Sequence, residues 1–159
     1  DRMERIIDDV LTLSRVGEPD RRQVDVAATA RAAWDTVATG DAELVVDAPP
    51  TADADPNTLE RLFENLFRNV TEHAGPARTV RLGTVADGFY VADDGPGIPP
   101  AERDQVFRSG YTVDGTGTGL GLAIVGRIVA AHGWEVRVVE ADDGGAQFEI
   151  VGLAAPTDR

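Results

Sequence analysis

Residues 56–73 read PNTLERLFENLFRNVTEH. Leu59, Leu62, Phe63, Leu66, Phe67 and Val70 recur at three- and four-residue intervals, which predicts a helix with one core-facing stripe. Pro56 suits the first helical position, where its missing N–H leaves no hydrogen bond unmade. The chain contains three asparagines, Asn57, Asn65 and Asn69, and two of them stand four residues apart in this helix. At roughly 100° per residue, Asn65, Asn69, Glu72 and His73 fall on one flank, beside the apolar stripe. A polar seam at the edge of a core either bonds a neighbouring loop or faces a ligand. An asparagine oxygen there suits Mg²⁺, which keeps several waters and takes a few protein oxygens together with substrate phosphates. Asn69, nearer the apolar border, is the better metal candidate.

The composition narrows the rest. At 159 residues the chain fits one domain with a real core. It has no cysteine, which removes disulfides and thiolate metal sites, and no apolar run approaches a membrane span. Acidic residues number 28 against 15 basic ones, and every basic side chain is arginine, for a net charge of -13. Such a balance argues against nucleic acid as a partner. A lysine-free acidic surface rich in Ala, Gly and Asp is expected of a protein adapted to molar salt, where repulsion is screened over about 3 Å; a GC-rich genome gives the same bias.

On the N-terminal side, DRMERIIDDVLTLSR carries Met3, Ile6, Ile7, Val10, Leu11 and Leu13 at near-helical spacing. Residues 1–15 are expected to be the end of a longer helix, residues 16–154 the main domain and residues 155–159 a disordered tail. VGEPDRRQ breaks the first helix, and Asp25 can cap a second over about residues 26–38. ELVVDA reads as a strand. ARTVRLGTV and GFYVAD form a hairpin across Asp87-Gly88. LGLAIVGRIVAAHG predicts a helix ending at Gly133, followed by strands WEVRVVEA and AQFEIVGL joined across DDGG. His132, before the helix-ending glycine, reads as structural. Trp34, Trp134, Phe63, Phe67 and Phe148 are expected in the core. The element order implies an α+β two-layer sandwich, with a mixed, mostly antiparallel sheet covered on one face by helices.

Two further stretches carry chemistry. In VADDGPGIPP, Asp93 leaves a strand and Gly95 and Gly97 follow at alternate positions. Those glycines let backbone approach a flat ligand, and an aspartate at a strand end can accept the amino group of an adenine. A plain tight turn is the alternative; the ligand pattern of a calcium loop is missing. In DGTGTGLGLAIV a glycine run enters a helix. Free N–H groups and the positive end of the helix dipole suit phosphates there. Neither the P-loop Gly-Lys-Ser/Thr nor a strand leading into a dinucleotide fingerprint is present.

The order and spacing of these three stretches resemble the histidine-kinase branch of the gyrase, chaperone, kinase and mismatch-repair ATPase superfamily, and the likeness covers essentially the whole chain. NLFRN is similar to the N box, DDGPGI to the first glycine box, VFRSGYT to the F box around Phe107, and GTGLGLAIV to the second glycine box; GGAQFEI matches the last glycine segment weakly. The resemblance implies the Bergerat-type ATP-binding fold, with ATP and Mg²⁺ as cofactors. It implies that Asn69 coordinates Mg²⁺ beside Asn65, that His73 lies near the phosphates and that Asp93 binds the adenine amino group. Gly95, Gly97 and Phe107 would line the nucleotide, Gly117, Thr118, Gly119, Leu120 and Gly121 would cradle its phosphates, and residues from about 98 to 116 would form a mobile lid. Arg103 and Arg108 are candidate phosphate contacts within it. The implied partners are dimerisation and histidine-phosphotransfer helices upstream in the same protein, a response-regulator receiver domain and a second copy of the full-length protein, all on the cytoplasmic side.

The sequence also departs from that pattern. Neither His73 nor His132 lies in an acceptor motif, so the phosphorylated histidine and its neighbouring base are expected upstream of Asp1, and no residue of the chain itself is assigned as catalytic. Glu72 stands where the family commonly has a phosphate-contacting lysine, and Ala146 where a hydroxyl residue is usual. These departures leave open a degenerate nucleotide-sensing module without kinase activity. A serine kinase acting on an anti-sigma antagonist shares the boxes but not the N-terminal helix.

Overall fold

In the computed structural model, residues 7, 10, 11, 18–37, 42–47, 51–73, 79–95, 101, 121–141 and 145–153 are described, with side chains in the helix at 56–73 described through Asn69. Asp25 ends a short strand, β1 (Arg22–Asp25), and caps helix α1 (Val26–Thr36); its carboxylate accepts the Ala28 N–H at 3.1 Å. That bond satisfies one of the four N–H groups that a helix start leaves unpaired.

Strands β2 (Glu43–Val46) and β3 (Thr51–Ala54) follow, and then helix α2 (Pro56–His73), which begins at its proline as expected. Asp55 caps α2, accepting the Asn57 N–H at 3.0 Å and the Thr58 N–H at 3.4 Å. Strands β4 (Thr79–Val85) and β5 (Gly88–Asp93) form a hairpin, and helix α3 (Gly121–Ala131) leads to β6 (Glu135–Glu140) and β7 (Ala146–Val151).

The main sheet runs β2-β4-β5-β7-β6, parallel at β2–β4 and antiparallel elsewhere. Along β7, Ala146, Phe148 and Ile150 are buried while the residues between them are only half-buried, so the inward face is the one with the aromatic and branched side chains. Phe63 of α2 meets Phe67 at 5.7 Å and Phe89 of β5 at 5.4 Å, and Trp34 of α1 packs edge-on to Phe67 at 5.0 Å. Each ring so buried contributes about 1.5–3 kcal/mol of transfer free energy. Phe63, Phe67 and Phe148 are fully buried, Trp134 nearly so, and Trp34 packs half-buried against the core, as the sequence predicts. The two-layer α/β sandwich is therefore the observed fold.

Two details differ from expectation. The hairpin turn is Ala86-Asp87 rather than Asp87-Gly88, because Val85 pairs with Gly88 and it is Asp87 that takes a left-handed backbone, at φ 67°. Gly88 is instead required by crowding, since a Cβ there would run into the Ile150 carbonyl of β7. The second difference is a separate two-stranded antiparallel sheet, β1–β3, which the polar RRQ and TADA stretches conceal.

At the far end of α3 the chain turns in a Schellman arrangement. Trp134 N–H bonds the Val129 carbonyl at 2.9 Å, Gly133 N–H bonds the Ala130 carbonyl at 3.0 Å, and Gly133 adopts φ 77°. Ile7, Val10 and Leu11 are helical and exposed. The expected tail at 155–159 lies outside the described residues.

Candidate nucleotide site

Asn65 and Asn69 lie one helical turn apart on α2, but their surroundings differ. Asn65 is 2% exposed, and its Nδ2 donates to the Arg61 carbonyl at 2.8 Å. That bond points Oδ1 away from its own turn. Oδ1 lies against the first residue of α3, where a Cβ on Gly121 would stand 3.3 Å from it. The N-box helix and the helix that follows the glycine run thus meet at Asn65 and Gly121. Asn69 is half-buried, so its side chain combines a position at the core edge with access from outside. His73 is within α2, and its side chain lies outside the described residues.

Asp93 ends β5, paired with Val80, and is 8% exposed. Its Oδ1 accepts the Gly95 N–H at 2.7 Å, an Asx turn that bends the chain out of the sheet. Asp94 then accepts the Thr79 N–H at 3.1 Å and ties the turn to β4. An ionised carboxylate offers about four acceptor positions on two oxygens. Gly145 packs so closely that a Cβ would collide with the Asp93 carbonyl oxygen and with Oδ1.

Sequence reasoning took the glycines of DDGG as turn-formers and missed this second demand. The signal available was the weak match of GGAQFEI to a glycine segment. Ala146 is buried and paired with Glu140 in the sheet. Gly97, Phe107, Gly117, Thr118, Gly119 and Leu120 lie outside the described residues, as do Arg103 and Arg108.

At the opposite end of the helix pair, burial pushes the Asp55 carboxyl up, but the N–H groups of Asp20, Thr58 and Asn57 outweigh it and hold the carboxyl below its ordinary 3.8. Burial lowers His132 below its ordinary 6.5, against the opposing effect of its bond to the Ile128 carbonyl.

The family described as histidine kinase-, DNA gyrase B-, and HSP90-like ATPase matches residues 54–156. The chain belongs to this family. Within it, the sensor histidine kinases provide the similar relatives. The sensor histidine kinase CpxA of Escherichia coli (strain K12) is 33% identical over 169 residues, covering 94% of this chain and 36% of that protein. Among solved structures, the mycobacterial sensor histidine kinase MprB superposes with a TM-score of 0.71 at 29% identity, covering 81% of this chain and 95% of that one. Full-length ShkA in complex with AMPPNP gives a TM-score of 0.75 at 30% identity, covering 91% of this chain and 34% of that one. The chain spans about a third of the length of the curated relative it matches. What it carries is a histidine-kinase-type ATP-binding catalytic domain.

Among the described residues of this kinase-type domain, no group of three or more His, Asp or Glu could hold a metal, and no helix is long and apolar enough to cross a membrane. A neutral asparagine oxygen supplies a single protein ligand, which fits an ion that arrives with most of its coordination filled by phosphate and water.

Proposed function

We propose that this domain binds ATP with Mg²⁺ and transfers the γ-phosphoryl group to a histidine on an upstream helix of the same protein. From there a response-regulator receiver aspartate takes it. The observation that carries the reading is the meeting of Asn65 with Gly121: a buried amide aligns the metal-side helix α2 with the helix whose N-terminus follows the glycine run. In this reading one nucleotide contacts Asn69 on one side and backbone N–H groups at the glycine run and the start of α3 on the other. Asp93, fixed by its Asx turn and by Gly145, accepts the adenine amino group, while His73 and Phe107 flank the bound nucleotide.

In the transfer, the bond between the γ-phosphorus and the ADP oxygen breaks and a bond to an imidazole nitrogen forms, with the imidazole proton leaving to a base outside this chain. Mg²⁺ held at Asn69 would supply charge neutralisation for the phosphates. The residues of this domain position and orient.

The exposed helical Ile7, Val10 and Leu11 support a dimerisation helix at residues 1–15, continuous with upstream helices and pairing with a second copy of the full-length protein. A reaction that draws on ATP and a receiver domain fits a cytoplasmic setting. The acidic, lysine-free surface supports a halophilic setting. The naming of similar relatives as sensor histidine kinases favours transfer over the degenerate nucleotide-sensing alternative.

Calorimetry with an ATP analogue in roughly molar KCl, with and without Mg²⁺, tests the reading. Native binding is expected to depend on magnesium, Asn69→Ala to lose that dependence and Asp93→Ala to lose nucleotide affinity. A folded native chain that binds no nucleotide would remove the catalytic reading.

A further inference from the structure

Helices α2 and α3 run antiparallel and are tied to each other at both ends. At the site end Asn65 lies against Gly121. Ten residues back along α2, about 15 Å, the Asp55 N–H donates to His132 Nε2 at 3.0 Å. His132 stands eleven residues beyond Gly121, about 16 Å along α3, so the two ties span the same length.

The tautomer follows from the partners. Nδ1 lies 2.8 Å from the Ile128 carbonyl oxygen, which can only accept, so Nδ1 carries the proton and Nε2 is the acceptor for Asp55. The imidazole is 3% exposed and stacked on Trp134 at 4.3 Å. The chain leading into β1 closes the arrangement. Arg21 donates to the His132 carbonyl and, at 3.1 Å, to the Asp53 carbonyl, and the Asp20 N–H donates to the Asp55 carboxylate at 3.0 Å.

We infer that His132 is a positioning residue for the nucleotide site: neutral, it pins the far ends of α2 and α3 together, and protonated, it releases them. Its effect on nucleotide follows from the ATP site proposed above, on which this role rests. A solvent proton taken up at Nε2 removes the lone pair that receives the Asp55 N–H and sets two donors facing each other. The charged groups around the ring are Arg21, which opposes protonation, and the carboxylates of Asp55 and Asp53, which favour it.

Because burial holds the folded His132 below its ordinary 6.5, the unfolded or released state binds the proton more readily than the pinned one. The pin is therefore fully present above pH 6.5 and is lost as pH falls through the lower folded value. What moves on release is the spacing between Asn65 or Asn69 and the start of α3.

Two tryptophans report the two ends. Trp134 stacks on His132, and Trp34 packs on Phe67, which lies between Asn65 and Asn69 on α2. Their indole N–H resonances would be followed in the native chain from about pH 8 to about pH 5. Calorimetric affinity for AMPPNP with Mg²⁺ would be measured alongside, for the native chain and for His132→Gln, at a temperature where both are folded.

In the native chain both indoles are expected to shift with one midpoint below 6.5, and affinity to fall about fivefold over the same window, or roughly 1 kcal/mol. His132→Gln keeps an acceptor but does not titrate, so its affinity, whatever its level, is expected not to vary with pH and its Trp34 resonance not to move. Equal pH dependence in both chains, or a Trp34 resonance that stays still or titrates apart from Trp134, overturns the inference. If AMPPNP fails to bind even at the alkaline end, the ATP reading has failed, and the Trp34 titration still decides whether the pin exists. Should His132→Gln not fold, the coincidence of the two native midpoints decides alone.

Discussion

The two ends of the α2–α3 pair are held by opposite means. At the far end, side chains and caps do the holding: Asp55 receives three backbone N–H groups, His132 bridges both helices and Arg21 joins them to the entering strand. At the near end a single amide, Asn65, leans on the bare Cα of Gly121, and Asp93 is enclosed by Gly145. The far end fixes position with polar groups satisfied inside the protein. The near end sets glycines beside Asn65 and Asp93 and leaves Asn69 half-buried, which suits the phosphate contact proposed above. Division of labour between the ends follows from what each places beside the backbone.

The largest way to break this contrast is to remove what the ends share. Phe63 is fully buried at the middle of α2 and contacts both Phe67 and Phe89. Phe63→Ala is expected to cost about 3–5 kcal/mol in denaturant unfolding and to weaken nucleotide binding through loss of the fold. A loss below about 1 kcal/mol would mean that the two ends do not depend on a common core.

A smaller change should separate the ends. Gly145→Ala puts a methyl group into the Asp93 carbonyl and carboxylate. Overpacking of this kind is expected to cost about 1–3 kcal/mol and, by moving the proposed adenine acceptor, to weaken nucleotide binding at least about tenfold, or 1.4 kcal/mol. The His132 titration read from Trp134 is expected to be unchanged. A shifted titration with unaltered binding would reverse the assignment of roles.

Much of this was legible in the residues. Apolar periodicity at 56–73, the Asp25 cap and Gly133 fixed the helices, because those signals are local and each has one cheap solution. The strands of the hairpins followed from their β-branched and aromatic runs. The β1–β3 sheet was not legible: in RQVD and TADA only Val24, Ala52 and Ala54 are buried, too few to stand out from a polar background. For the candidate site, motif order pointed to Asn65, Asn69 and Asp93, of which the structure sets Asn65 against Gly121 and Asp93 in an Asx turn. It could not find the Asp55–His132 bond, which joins residues 77 apart through a backbone N–H that carries no sequence identity.

The smallest expected effect is the most selective, because it sets two opposing terms at the contact between α2 and α3. Gly121→Ala gains up to about 0.5–1 kcal/mol of helix preference by removing glycine's backbone freedom. Against this, the new Cβ stands 3.3 Å from Asn65 Oδ1, closer than ordinary carbon–oxygen contact. Asn65 must yield by a few tenths of an ångström, and its bond to the Arg61 carbonyl and its 2% exposure leave it little room. The two terms nearly cancel, so unfolding free energy is expected to change by no more than about 0.5 kcal/mol. Nucleotide binding has no such compensation, since the same displacement widens the gap between Asn69 and the start of α3. A fall of about three- to tenfold in affinity is expected, or roughly 0.7–1.4 kcal/mol. Calorimetry and denaturant unfolding on the same preparation distinguish the cases. A stability loss larger than the binding loss would make the Asn65–Gly121 contact a packing joint like any other, and the contrast between the two ends would go with it.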